Sequence, residues 1–452
     1  MTIHADFFKI VKDACGSAFS AKSPARPDLV FIDGQVKLMK ADQVTAWSVF
    51  FAVQFFRTIE AGYATGAHTV VLGFDDYEHV PASKGMTQAK RAKHKISYEF
   101  AQSTCLPSTM PEDWGAAMAN RTFKVKVVCK VLEVTEAWFA RKLEQDAAFR
   151  DRRLVLDYRG VPVVLGRASP LHAFVESQDW STRTACVGRG ECDIKAFTWT
   201  SASECLCIFS TDGDYLPLAL LQTASEQARC RVVLHRMVTQ TESAACRKRK
   251  SPAACADDGA APEERPAASR KRAYEFVCIP TIASWLRTVF PSKGLDPVTQ
   301  FCALVALCGC DFTRNLPRLG PRTLWKLRHR LQNADLTNPG QIVCALSMAY
   351  SDLLVKKNVM PVDVANSRAS LSAMSEEAAA AAYEHVMGRI QKDQKVSPRI
   401  KEQLWPRARA AAHALNAVWT MHYWTLLQHA PDPHARSFGY ARDGKGRTFF
   451  VG

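Results

Sequence analysis

The chain has 452 residues, a hydrophobic fraction of 47% and a formal net charge of +15 at pH 7, enough for one large core with insertions or for two to three domains. The positive excess points to a polyanionic substrate, with nucleic acid first, rather than to an acidic protein. No uncharged apolar run reaches about 18 residues and no charged-then-apolar leader occurs, so neither a membrane span nor a signal peptide is supported and an intracellular protein is expected.

Residues 1 to 75 read as an amphipathic opening helix, a strand through Leu29-Val30-Phe31-Ile32 to Asp33, a long apolar helix from Ala41 to Glu60, and a strand through Thr69-Val70-Val71-Leu72-Gly73-Phe74 to Asp75. This is a βαβ unit. Such short, nearly unbroken apolar runs suit buried strands of a parallel sheet, and open α/β sheets bind ligands at the carboxyl ends of their strands. From about 76 to 185 the pattern is mixed, beginning with Lys84, Lys90, Arg91, Lys93 and Lys95 and passing through Val125 to Leu132 and Leu154 to Leu165. It reads as an insertion over the carboxyl edge of the sheet.

The α/β pattern returns over 186 to 239, where Gly190-Glu191-Cys192-Asp193 opens a helix and the run from Leu206 to Thr211 leads into Asp212-Gly213-Asp214. Residues 240 to 273 turn to Ala, Pro, Ser and charge, a composition that buries too little apolar surface to offset ordering entropy, so a disordered basic linker is expected. Its clusters at 247–250 and 270–272 suit a bipartite nuclear import signal, a DNA-attracting tether or a plain solvated linker. A nuclear location follows from the first reading and a cytoplasmic replication site stays open. Beyond 274 the chain reads as mostly helical, with a region at 274–340 carrying Asp311 and Leu316 to Lys326, then a carboxyl-terminal helical region at 341–452. There is no internal repeat.

Fifteen cysteines without paired Cys-x-x-Cys spacing fit reduced thiols. Cys205/Cys207 and Cys308/Cys310 lie in apolar runs and read as core residues rather than zinc ligands. The acids are more informative. Asp33, Asp75, Glu191, Asp193, Asp212, Asp214 and Asp311 recur beside apolar runs; converging, they form a carboxylate cage of the hard oxygen ligands that Mg²⁺ or Mn²⁺ prefers. Two such ions about 4 Å apart clamp the attacking and leaving oxygens of a phosphodiester. Asp212 and Asp214, two apart on extended backbone, point to one side, while Glu191 and Asp193 fall in a helix's first turn, where the dipole favours negative charge.

In order along the chain, Phe31-Ile32-Asp33-Gly34, Gly73-Phe74-Asp75, Gly190-Glu191-Cys192-Asp193, Ser210-Thr211-Asp212-Gly213-Asp214 and Gly309-Cys310-Asp311-Phe312 resemble the acidic motifs of the flap endonuclease and xeroderma pigmentosum group G nuclease family, structure-specific 5′ nucleases with a PIN-like core. Each motif alone is weak; the ordered set is specific. The resemblance covers roughly 1–75 and 186–335 and implies an α/β fold with a mostly parallel central sheet, an inserted arch and a helix-three-turn-helix element. It also implies two Mg²⁺ ions, replaceable by Mn²⁺. Asp33, Asp75, Glu191 and Asp193 would hold one ion, Asp193 through water because it replaces a longer Glu; Asp212, Asp214 and Asp311 would hold the other.

Lys84 and Arg91, seven apart in the sequence, resemble the arch cations that steer the scissile phosphate, with Lys90 and Lys93 beside them for DNA contact. Arg318, Gly320, Arg322 and Lys326 fall on the stretch that resembles the helix-three-turn-helix. Arg318 replaces a usual Gly, which argues against the K⁺ that family members bind there and leaves phosphate contact as the expectation. Met1-Thr2-Ile3 replaces Met-Gly-Ile, and no clamp-binding box lies near Phe449-Phe450.

Taken singly, Asp33, Asp75, Asp212 and Asp311 would more often be caps or strand-end residues bonded to backbone, and the basic run from Lys84 to Lys95 an ordinary solvated face. Asp76 should point away from Asp75 and is at most supporting. Trp405, Trp419, Tyr423 and Trp424 read as packing, and His4, His68 and His94 have no role. The expectation is a monomeric, Mg²⁺-dependent nuclease acting on DNA at single-strand to duplex junctions in replication, repair or recombination. The alternatives are a catalytically weak junction-binding scaffold and an RNA-directed nuclease of the same fold.

Overall fold

Runs of apolar residues that never alternate with polar ones can be strands only if both faces are covered, and that condition organises the molecule. The computed structural model describes residues 3–39, 46–76, 106–180, 191–224, 230–237, 274–290, 296–308 and 319–328, with shorter stretches between 336 and 450. Its sheet strands are β1 (Phe19–Ser20), β2 (Leu29–Asp33), β3 (Thr69–Gly73), β4 (Arg153–Asp157), β5 (Val163–Gly166), β6 (Cys205–Phe209), β7 (Arg231–Met237) and β8 (Tyr274–Cys278). They lie in the order β1-β8-β7-β6-β2-β3-β4-β5. The five central strands from β7 to β4 are parallel, and β8 and β5 pair antiparallel at either side. β2, β3 and β6 are buried at every position.

Successive side chains divide between two cores, as the period of two requires. Leu29, Phe31, Leu206, Ile208, Val232 and Leu234 face one side, under α1 (Ile3–Ala14) and other helices. Val30, Ile32, Val70, Leu72, Cys207 and Phe209 face the other. There they meet α2 (Gly34–Leu38), α3 (Trp47–Phe51), a π-helical turn at Ala52–Phe56, α4 (Arg57–Ala64), α5 (Trp114–Ala119) and α6 (Arg121–Gln145). The first core is closed by α7 (Pro170–Ser177), α8 (Cys192–Thr198), α9 (Tyr215–Ala224), α10 (Ile279–Val289), α11 (Pro297–Cys308) and α12 (Pro321–Leu327). A further strand pair, β9 (Tyr440–Arg442) and β10 (Thr448–Phe450), stands apart from the main sheet. Among the described residues no helix is long and apolar enough to cross a membrane.

The parallel centre matches the expectation from sequence, and three boundaries differ. β4 and β5 come from within 76–185, so that stretch supplies sheet as well as insertion; Leu154, Val155 and Leu156 are apolar because both cores cover them. Residues 274–278 form a strand, not a helix, their alternation of exposed and buried side chains suiting a strand near the sheet's margin. The long helix expected from Ala41 to Glu60 begins at Trp47, where Ala46 is an extended N-cap, passes through a π turn and extends to Ala64; Ala41 itself lies outside the described residues. The 240–273 linker lies outside them as well.

Two glycines in the acidic motifs have a packing reason. A Cβ on Gly73 would fall 2.3 Å from Phe31 Cζ and 3.2 Å from Cys192 Sγ; one on Gly34 would fall 2.4 Å from Phe74 Cε1. The neighbouring strand ends and α8 therefore approach closely only because these side chains are missing. Gly73→Ala should destabilise the protein by about 1–3 kcal/mol through overpacking against the fully buried Phe31. Chemical denaturation measures the loss.

Candidate metal centre

Strand order reverses between β2 and β6: from β2 the sheet grows through β3 and β4, and from β6 it grows the opposite way through β7. At such a switch point the connections leave in opposite directions and open a crevice at the carboxyl ends. Asp33 ends β2 itself, while Asp75 is the second residue after β3 and Asp212 the third after β6. These two acids thus lie just beyond the strands rather than closing them.

The loops are tied together by backbone-directed bonds. Asp33 caps α2 by accepting from the Val36 N–H at 3.1 Å, and its other oxygen accepts from the Ser210 hydroxyl at 2.9 Å. Ser210 Oγ in turn accepts from the Asp212 N–H at 3.0 Å, so one hydroxyl links the ends of β2 and β6. The Asp214 N–H donates to Asp212 Oδ1 at 3.2 Å. Across the crevice, the Cys192 N–H donates to Asp75 Oδ1 at 2.8 Å, joining the start of α8 to the end of β3. Glu191 is the buried residue preceding α8, and Asp193 stands half-buried in its first turn.

Electrostatics places the acids within reach of one another. Burial pushes the Asp33 carboxyl up and the Asp75 charge adds to it, while bonds from Val36, Ser210 and the Cys192 thiol act in the opposite direction. Asp212 is an exposed residue, yet its carboxyl is also pushed up, first by the protein atoms packed around it, then by the charges of Asp214 and Asp33. Asp33 is therefore electrically coupled to Asp75 on one side and Asp212 on the other. The Tyr215 hydroxyl, on a side chain 1% exposed, senses Asp33, Asp193 and Asp212 and has no hydrogen-bond partner among the described residues.

A residue set of carboxylates, gathered against their mutual repulsion beside a buried phenol with an unmatched oxygen, fits a hard divalent cation. Among the described residues, no three His, Cys, Asp or Glu side chains close tightly enough to hold one ion directly. Asp311 lies outside the described residues, as do Lys84, Lys90, Arg91, Lys93, Lys95 and Arg318. Gly320 precedes α12, whose Arg322 and Lys326 are exposed one turn apart on a helix packed against α1 and α11. Asp76 is buried, 3.5 Å from the Arg159 guanidinium. Cys205, Cys207 and Cys308 are buried free thiols, as expected for core residues; Cys310 and the four carboxyl-terminal aromatics lie outside the described residues.

Sequence reasoning missed a buried cation. Lys195, one turn after Glu191, is 1% exposed; its Nζ lies 3.7 Å from Asp157 Oδ1 and donates to the carbonyls of Phe74, at 2.7 Å, and Tyr158. Asp157 also accepts from Trp199 Nε1 at 3.0 Å. Lys195 thus pins α8 to the ends of β3 and β4, next to Asp75. Two signals were present: a lysine amid Ile194, Ala196 and Phe197, and an Asp closing the apolar run Leu154-Val155-Leu156 just as Asp33 closes its own.

The molecule is thus an α/β protein with a parallel-centred eight-stranded sheet and an acidic crevice at its switch point. No protein-family model matches the chain, and no curated protein sequence is significantly similar to it.

Proposed function

We propose that the chain is a divalent-metal-dependent DNA nuclease of the 5′ flap endonuclease type, with a PIN-like core, hydrolysing phosphodiesters at single-strand to duplex junctions. The observation that carries this reading is that Asp33, Asp75, Asp193, Asp212 and Asp214, from four separate segments of the chain, gather at one switch-point crevice, where the charge of Asp75 raises the Asp33 carboxyl and the charges of Asp214, Asp33 and Asp193 raise that of Asp212. A protein that only bound nucleic acid would gain nothing from massed negative charge facing phosphate. The net charge of +15 supplies the opposite field needed to attract a polyanion to that crevice.

In this reading Asp33, Asp75, Glu191 and Asp193 would hold one Mg²⁺ directly or through water, and Asp212, Asp214 and Asp311 would hold the second. Bound Mg²⁺ supplies Lewis-acid chemistry, neutralising charge at the phosphoryl group and easing deprotonation of water. The chain's own residues set the geometry. Ser210 fixes the Asp33 carboxylate relative to the loop carrying Asp212, and the Cys192 N–H fixes Asp75. Tyr215 offers a hydroxyl to whatever oxygen enters among Asp33, Asp193 and Asp212. By resemblance, Lys84 and Arg91 hold the scissile phosphate, and Arg322 and Lys326 the duplex backbone.

A labelled flap duplex incubated with Mg²⁺ should be cut by the wild-type chain and not by Asp212→Ala; equal products from both proteins would remove the assignment. A matched RNA flap in parallel should be cut more slowly than DNA, and preference for RNA would replace the substrate.

A further inference from the structure

Large aromatic side chains at sheet margins are usually covered, because each carries a large apolar area. Tyr274, the first residue of β8, is 45% exposed. Its ring stacks on the His235 imidazole with centroids 5.1 Å apart and planes 9° from parallel. His235 lies against Phe209 at 4.1 Å and Phe276 at 4.6 Å. The register explains the row: His235 pairs with Phe209 on one side and Phe276 on the other, so the three side chains share one face at the carboxyl edge. Tyr274 caps that row with one ring face toward His235.

The row is rooted in the acidic crevice. Phe209 precedes Ser210, whose N–H donates to the His235 carbonyl at 3.2 Å and whose hydroxyl donates to Asp33. Burial, and after it the charge of nearby Lys37 on α2, push the imidazole down to about 4, so a neutral flat ring supports Tyr274 near pH 7. The chain's net charge of +15 favours a phosphate-bearing partner.

We infer that Tyr274, backed by His235, is a stacking platform for an unpaired nucleobase of single-stranded DNA entering or leaving the crevice. Base stacking on an aromatic ring is tolerant of sequence, since every base offers a π face, and it distinguishes a separated strand from a duplex whose bases already stack on one another. The inference rests on the nuclease reading and specifies which part of the substrate this edge touches.

The test is fluorescence anisotropy in EDTA at low salt, using a labelled 20-nucleotide oligothymidylate and an abasic strand of equal length and charge. Tyr274→Leu should bind oligothymidylate about tenfold more weakly than wild type, while Tyr274→Phe, which keeps the ring, binds as wild type does. On the abasic strand all three should bind alike. Equal binding of oligothymidylate by Tyr274→Leu and wild type, or an equal loss on the abasic strand, would overturn the platform. Flap cleavage by wild type in Mg²⁺ is measured alongside: cleavage with no Tyr274 effect removes the platform alone, whereas neither binding nor cleavage removes both readings.

Discussion

Asp33→Asn should lower Mg²⁺-dependent flap cleavage by on the order of 10³-fold or more, while making the metal-free protein more stable near neutral pH. Asn has the same shape and can still accept from the Val36 N–H, so the cap on α2 survives. What changes is charge. Burial and the neighbouring Asp75 raise the Asp33 carboxyl in the folded chain, so ionising it costs folding energy. Stability from the protonated group is fully present below the unfolded carboxyl value and is lost as pH rises through the raised folded value. In EDTA at pH 7.5 the variant should therefore melt higher than wild type by roughly 1–3 °C, and the gap should narrow as pH falls toward the ordinary carboxylate range. Adding Mg²⁺ should raise the wild-type melting temperature and leave the variant nearly unmoved, by mass action on the native state. Differential scanning fluorimetry across pH, with and without Mg²⁺, checks all three signs. A carboxylate that stabilised the fold in its charged form would instead leave the variant less stable than wild type near neutral pH.

The largest stability effect belongs to a residue with no place in the acidic motifs. Lys195→Met should destabilise the fold by about 3–5 kcal/mol, because it leaves Asp157, 0% exposed, as a buried charge facing two carbonyls that have lost their donor. Trp199 still donates to Asp157 but does not neutralise it. Removing both charges, in Lys195→Met with Asp157→Asn, should recover much of the loss, since a neutral pair needs no compensating ion. Urea denaturation of the two single variants and the double variant gives the coupling directly. If the single variants cost no more than about 1 kcal/mol each, the pair is not holding α8 in place.

The parallel centre of the sheet was legible because β2, β3 and β6 are covered on both faces and so read as unbroken apolar runs. The acids were legible because their neighbours are the ends of those runs. β4 carried the same signal but sat in a stretch otherwise mixed in pattern, and Asp157 went unread with it. β8 was missed because its exposed and buried residues alternate over only five positions, too few to separate a marginal strand from the helix that follows it directly. No local pattern marks Ser210 as a partner of the acidic loops, and Lys195, conspicuous among its apolar neighbours, does not name the carbonyls it meets. Their contacts join residues 177 apart, Ser210 to Asp33, and 121 apart, Lys195 to Phe74, and such pairings exist only once the strands are in register.

The central question is whether the gathered carboxylates hold paired cations. Mn²⁺ titration followed by electron paramagnetic resonance counts them in the intact chain. Two ions should bind per wild-type chain, with at least one lost in Asp33→Asn and in Asp212→Asn. No binding by wild type, or the same two ions in both variants, would contradict the assignment of the crevice as a metal centre.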